Sequence, residues 1–248
     1  MNKIATILSV LVFSASVVFA QDKARAIVEK AIQAQGGEAK VAKLRTMRIK
    51  VEGTASFVPG QPDLPFTIED IWQMPHRYKT SSTFQFQDQK FTQIQAIDGD
   101  KGWIQQDGQT QDLSREAIAE MKEQKYAEDL DRLGFLKEKQ IELSVLEEIK
   151  IDGKPAVGVL VKSMGKRDVK LYFDKASGLL VKREHQVLDP ASGKEVRQEV
   201  IFSDYQQSDG LKHYKKIVAL RDGKKVIDAK VTEMEFFRKL DEKVFAKP

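Results

Sequence analysis

The chain has 248 residues, 41% of them hydrophobic and 31% charged, and 41 Lys and Arg against 37 Asp and Glu give it a net charge of +4. The two signs are interspersed, which excludes the concentrated basic field of a nucleic-acid or anionic-membrane binder. There is no cysteine, so disulfides and lipidation through a leader cysteine are excluded, and stability has to come from a core that a chain of this length can readily build.

Residues 1–20 read as a secretory signal peptide. Met1-Asn2-Lys3 is a short cationic start, Ile4 to Phe19 is apolar apart from small and hydroxyl residues, and Val18-Phe19-Ala20 is a cleavage site before Gln21-Asp22. The apolar run is shorter than the ~20 residues a membrane span needs. Residues 21–248 then read as a single soluble, extracytoplasmic and monomeric domain, because no linker or shift in composition divides them.

Asp22 is placed to cap a helix to about Gln35, with Gly36 to stop it, and Val41 and Leu44 suggest one more turn. From Met47 to Phe57 the period changes to two, the mark of a half-buried strand. Val58 to Pro65 reads as a loop. Strands follow around Phe66 to Trp72, Tyr78 to Phe84, Phe91 to Ile97 and Trp103-Ile104, with turns at Pro75, at Asp98 to Gly102 and at Asp107-Gly108.

Ser114 opens a long helical stretch predicted to run through about Lys139, its apolar residues including Ile118, Met121, Tyr126, Leu130, Leu133, Phe135 and Leu136. Gly134 weakens its end. Six glycine turns then follow at intervals of roughly 12 to 17 residues, at Gly153, Gly165, Gly178, Gly193, Gly210 and Gly223. They predict strands near 142–151, 155–163, 168–174, 179–188, 195–205, 211–221 and 225–237. The fold class is therefore α+β: a long-stranded, curved antiparallel sheet, with the central helix lying across its concave side as a lid.

Catalytic motifs do not survive their context. Ser163-x-x-Lys166 matches an acyl-transferase pattern but falls on a hairpin connection rather than a helix start, and no Ser-Asp-Asn follows. Asp98-x-Asp100-x-Gly102 begins like a calcium loop, yet position twelve is Gln109 and it reads as a β-turn. His76, His185 and His213 are isolated, and His185, alternating with Arg183 and Val187, reads as a surface strand residue. No metal, cofactor or catalytic residue is expected. Aromatics, by contrast, occupy nearly every strand, more than one helix can cover, so the surplus is expected to line a cavity. The candidates are Trp72, Phe84, Phe86, Trp103, Phe173 and Phe202 from the sheet, with Leu130 and Leu133 from the lid.

The order of signals resembles the LolA/LolB-like outer-membrane lipoprotein-sorting superfamily. The carrying segments are the helix ending Gln35-Gly36-Gly37, the strand from Met47, the turn from Asp98 to Gly102-Trp103, the helical lid, and Leu171 to Leu180 with its Asp174-Lys175 and Ser177-Gly178. Asp209-Gly210-Leu211, Arg221-Asp222-Gly223-Lys224 and the terminus Leu240 to Pro248 fit as well. The resemblance implies an unclosed β-barrel over helices and an apolar cavity for the acyl chains of lipoproteins or other lipids. Two other readings stay open: a non-catalytic envelope module with a filled core that binds a protein partner, and an exported hydrolase using Ser163 and Lys166.

Overall fold

Four Asp-Gly pairs set the hairpins. Asp107-Gly108, Asp152-Gly153, Asp209-Gly210 and Asp222-Gly223 all have positive φ at both residues, the two-residue turn whose twist matches that of its flanking strands. In the computed structural model, which describes residues 21–56, 62–189 and 193–248, three of these turns join strands of a 13-stranded antiparallel sheet that does not close into a barrel, and Asp209-Gly210 turns a separate small hairpin. The signal peptide read over residues 1–20 lies outside the described residues, as does half of the loop read at Val58 to Pro65, whose last two residues, Leu64 and Pro65, are already strand.

Helix α1 covers residues 21–35, so Asp22 lies inside the helix and not at its cap. It is followed by the short α2 (Glu38–Val41) and a 3-10 turn at Ala42–Arg45. The first strand block is β1 (Thr46–Ala55), β2 (Leu64–Gln73), β3 (Arg77–Phe86), β4 (Gln89–Asp98), β5 (Lys101–Gln106) and β6 (Gln109–Asp112). Helix α3 (Arg115–Leu130) and a 3-10 turn at Gly134–Lys137 lead to the second block. That block is β7 (Glu142–Ile151), β8 (Lys154–Lys162), β9 (Val169–Asp174), β10 (Leu180–Leu188), β11 (Glu195–Ser203), β12 (Gln206–Ser208), β13 (Leu211–His213), β14 (Lys216–Arg221) and β15 (Lys224–Phe236).

Three further expectations change. The central helix ends at Leu130 instead of about Lys139, because Leu133 takes φ 56 and turns the chain out of the helix just before Gly134. The strand read over 211–221 is two strands: β12 and β13 form a separate small hairpin about Asp209-Gly210, and only β14 joins the main sheet. His185 is buried and not on the surface.

The strand order is β6-β5-β4-β3-β2-β1-β15-β14-β11-β10-β9-β8-β7. The two blocks meet where β1 pairs with β15, and the two edges are β6 and β7, consecutive in the chain. Residues 113–141, with α3 at their centre, must therefore cross the opening that the unclosed sheet leaves. Lys125 of α3 lies over the Tyr78 ring of β3 at 3.7 Å while Glu120 bonds Arg167 after β8 at 3.2 Å, so both wings of the curved sheet reach the same helix. Helix α1 closes one end. Gly36 lets it dock on the β12–β13 hairpin, for a Cβ there would stand 2.4 Å from the Gly210 carbonyl oxygen.

Candidate ligand-binding cavity

Ser114 caps α3, its Oγ accepting from the Ala117 amide at 3.1 Å. The first turn lands on Gly102 of β5, where a Cβ would approach Ile118 Cγ1 to 3.2 Å and the Ala96 carbonyl oxygen to 3.0 Å. Along its length only Ile118, Ala127 and Leu130 are buried, a narrow apolar stripe for a helix that crosses a cavity. Polar contacts make up the rest. Lys122 pairs with Asp100 at 2.7 Å, and Glu123 takes Lys166 Nζ at 3.1 Å and the Arg167 amide at 2.6 Å.

Beneath the C-terminal end of α3 lies a cavity of about 190 Å³. Its floor is a row across adjacent strands: Phe66 and Ile68 of β2, Ile49 and Val51 of β1, Ile227 and Ala229 of β15, Ile217 and Ala219 of β14, Val200 and Phe202 of β11. Register explains the row. Val51 faces Ile68, Gly53 faces both Phe66 and Ala229, Ala219 faces both Ile227 and Val200, and Phe202 faces Ile217. Gly53 is needed there, since a Cβ would come within 2.3 Å of the Asp228 carbonyl oxygen and 2.7 Å of Ala229 Cβ.

The roof is charged. Asp131 and Arg132, just past α3, face Arg183 of β10, and Arg183 Nη1 donates to Asp131 Oδ2 and to the Ala127 carbonyl at 3.4 Å. Arg183 and Asp131 are 4% and 8% exposed. Burial pushes the Asp131 carboxyl up to about 6, against the opposing pull of Arg183 and Arg132. Arg132 lies 3.9 Å from the Trp72 ring centre and bonds Asp129 at 2.7 Å.

Trp72 separates this cavity from a second one of about 340 Å³, lined also by Met74, Tyr78, Ile97, Leu130, Phe135 and Ile141, with Lys122, Lys125 and Lys166 among its cations. The indole is fixed by its N–H, which donates to the Leu44 carbonyl at 2.9 Å.

Of the residues singled out in the sequence, Trp72 lines both cavities, Phe202 the first and Leu130 the second. Phe84 stands behind the first, its ring 6.0 Å from Phe66. Leu133 and Phe173 are buried in the core and line neither cavity. Trp103 is buried under the C-terminal segment, its N–H donating to the Phe245 carbonyl at 2.9 Å. Phe86 is 48% exposed near the β3–β4 turn. The Ile, Val and Ala residues of the floor and the Arg183–Asp131 pair are the parts that sequence reasoning missed. Arg183 does alternate with Val187, but a bulge between Leu180 and Lys182 hides which phase points inward.

Ser163 and Lys166 close a β-turn, the Lys166 amide donating to the Ser163 carbonyl at 3.1 Å, while Lys166 Nζ is held by Glu123. An ion-paired lysine is a poor general base for that serine. No group of three or more metal-ligating side chains occurs among the described residues.

No family model matches the chain, and no curated protein matches it significantly. Among solved structures, a LolA superfamily protein from Nitrosomonas europaea superposes with a TM-score of 0.58 at 14% identity, over 90% of this chain and 97% of its own. An outer membrane lipoprotein-sorting protein domain from Vibrio parahaemolyticus gives 0.54 at 15% identity, over 88% and 97%. A DUF1329 family protein from Desulfovibrio piger gives 0.55 at 12%, over 90% and 97%. With the unclosed 13-stranded sheet, the helix across its opening and the cavity between them, these likenesses establish that the chain has the LolA-superfamily fold.

Proposed function

We propose that the protein is an extracytoplasmic carrier that holds acyl chains of lipids or lipoproteins between its sheet and α3. The observation that carries this reading is the mostly aliphatic floor of the first cavity, assembled from five adjacent strands and roofed by the end of a helix with few apolar anchors. Each methylene buried there contributes about 0.8 kcal/mol, so a dozen offer roughly 10 kcal/mol before ordering costs. Micromolar to nanomolar retention needs about 8 to 12 kcal/mol.

Size assigns α3 its role. A cavity of about 190 Å³ is below the ~300–1,000 Å³ of ordinary ligand sites, and its larger neighbour lies beyond Trp72. A full acyl chain is accommodated when α3 lifts and the two spaces join. No helix among the described residues is long and apolar enough to cross a membrane, and residues 1–20 fit a cleaved export signal. The reading assigns no catalytic role.

Native mass spectrometry of protein purified from an envelope fraction, together with titration by a fluorescent fatty acid, tests the proposal. Co-purifying lipid or saturable micromolar uptake is expected. An empty protein that takes up no apolar probe overturns it, and the exposed Phe86 and Phe91 on the β3–β4 hairpin would then favour an envelope module that binds a protein partner.

A further inference from the structure

Most polar groups around the first cavity are already engaged. Arg132 is held by Asp129 and by the Glu128 carbonyl, and Glu128 pairs with Lys125. Asp70 accepts from the Tyr78 hydroxyl at 2.6 Å, and Gln198 accepts from Arg221 Nε at 3.2 Å. Two buried atoms of the lining residues are left without a hydrogen-bond partner: Nε of Arg183, a donor, and Oδ1 of Asp131, an acceptor. They belong to one ion pair whose residues are both more than nine-tenths buried, above a floor of aliphatic side chains.

An unpaired donor and an unpaired acceptor within one buried ion pair specify what satisfies them. Buried polar groups are strongly penalised when unpaired, so a ligand that completes both bonds gains over one that completes one or none. A hydroxyl or a secondary amide accepts from Nε–H and donates to Oδ1 at once. An ester only accepts. An ionised carboxylate has no proton to give and sets a second negative charge against Asp131, whose partner Arg183 is already neutralised.

Building on the carrier reading, we propose that this cavity selects single-chain amphiphiles whose uncharged head donates and accepts a hydrogen bond together, a hydroxyl or an amide, over fatty-acid anions. Such a head could come from a monoacylglycerol or from an amide-linked acyl chain, and the two sources are separable by experiment.

The test displaces an uncharged apolar fluorophore, N-phenyl-1-naphthylamine, from the wild-type chain at pH 8 with four eight-carbon ligands. They are 1-monooctanoylglycerol, N-methyloctanamide, methyl octanoate and octanoate. The first, the second or both should displace the probe at least about tenfold more strongly than methyl octanoate and octanoate, a difference of ~1.4 kcal/mol. Which of the two leads identifies the source. In Asp131→Asn the charge that repels an anion is gone and an NH2 donor replaces the free acceptor, so octanoate should gain several-fold while monooctanoylglycerol loses part of its advantage. The wild-type series carries the test if that variant is unstable. Should the probe bind and all four ligands displace it alike, or octanoate displace it best, the head-group assignment falls and the carrier reading stands. Should neither probe nor any ligand bind, the carrier reading falls and takes this proposal with it.

Discussion

His185 and Asp131 are buried titratable groups close to the same end of α3, and they pull stability in opposite directions with pH. Burial first, and then the charge of Arg183, bring the His185 imidazole from 6.5 to about 3, and its Nδ1 has no partner. Between those values the unfolded chain takes a proton that the folded one refuses, so this contribution to stability is present above about 6.5 and is lost as pH falls toward 3. For Asp131 the sign is reversed. Its carboxyl rises from 3.8 to about 6, so the folded chain keeps a proton the unfolded one has released, and that contribution is full below 3.8 and lost as pH rises through 6. The two slopes oppose each other where the windows overlap, between about 3.8 and 6, so the histidine is isolated by comparing the wild type with a variant that lacks it. His185→Gln is that variant, and the gap between the wild-type and variant stability profiles should change by up to about 1.4 kcal/mol per pH unit below 6.5. Urea unfolding at pH 4, 5, 6 and 7 measures this. Parallel profiles for the two proteins would show that the imidazole titrates normally in the fold.

At the scale of elements, the two lid leucines separate. Leu130 lines the cavity of about 340 Å³, whereas Leu133 sits in the turn after α3 and is packed into the core. Leu133→Ala should therefore cost about as much as the sheet control Leu171→Ala, within the ~2–5 kcal/mol usual for a buried leucine. Leu130→Ala should cost less, since the void it leaves merges with existing space, and it should increase uptake of a fluorescent fatty acid. Thermal melts and probe titration of the three variants decide the matter; equal losses with unchanged uptake would make Leu130 ordinary core. The strands were legible because alternation and Asp-Gly turns are local signals: the range 142–151 matches β7, and 47–57 matches β1 to within two residues. The end of α3 was not, because Leu133, Leu136 and Phe135 continue the helical spacing while the backbone leaves the helix at Leu133. The cavity was half legible. Aromatics drew attention to Trp72 and Phe202, but most of the floor is built from Ile, Val and Ala that any core would contain, gathered by pairing β1 with β15 from opposite ends of the chain. No local pattern reports that pairing.

Over the whole molecule, the sheet is one ribbon whose two ends are edge strands β6 and β7, and α3 is the strap between them. Its fastenings differ along its length. Toward its N-terminal half, Lys122–Asp100 ties it to the β4–β5 turn, and Glu120 and Glu123 tie it to Arg167 and Lys166 between β8 and β9. These pairs are partly or largely exposed, a class worth about 0–1 kcal/mol each, and the screening length falls from ~10 Å at 0.1 M salt to ~3 Å at 1 M. At its other end the Arg183–Asp131 pair is buried, where salt reaches little. High salt should therefore loosen the strap from one end only, leaving the helix to pivot about Asp131. Hydrogen exchange at 0.1 M and 1 M NaCl should show faster exchange over residues 115–123, unchanged exchange over 127–133, and unchanged protection in β1, β14 and β15. The same salt should speed the entry of a fluorescent fatty acid, because entry requires α3 to lift. Exchange that rises equally along α3, or salt-accelerated exchange without faster entry, would mean that the helix is not the gate.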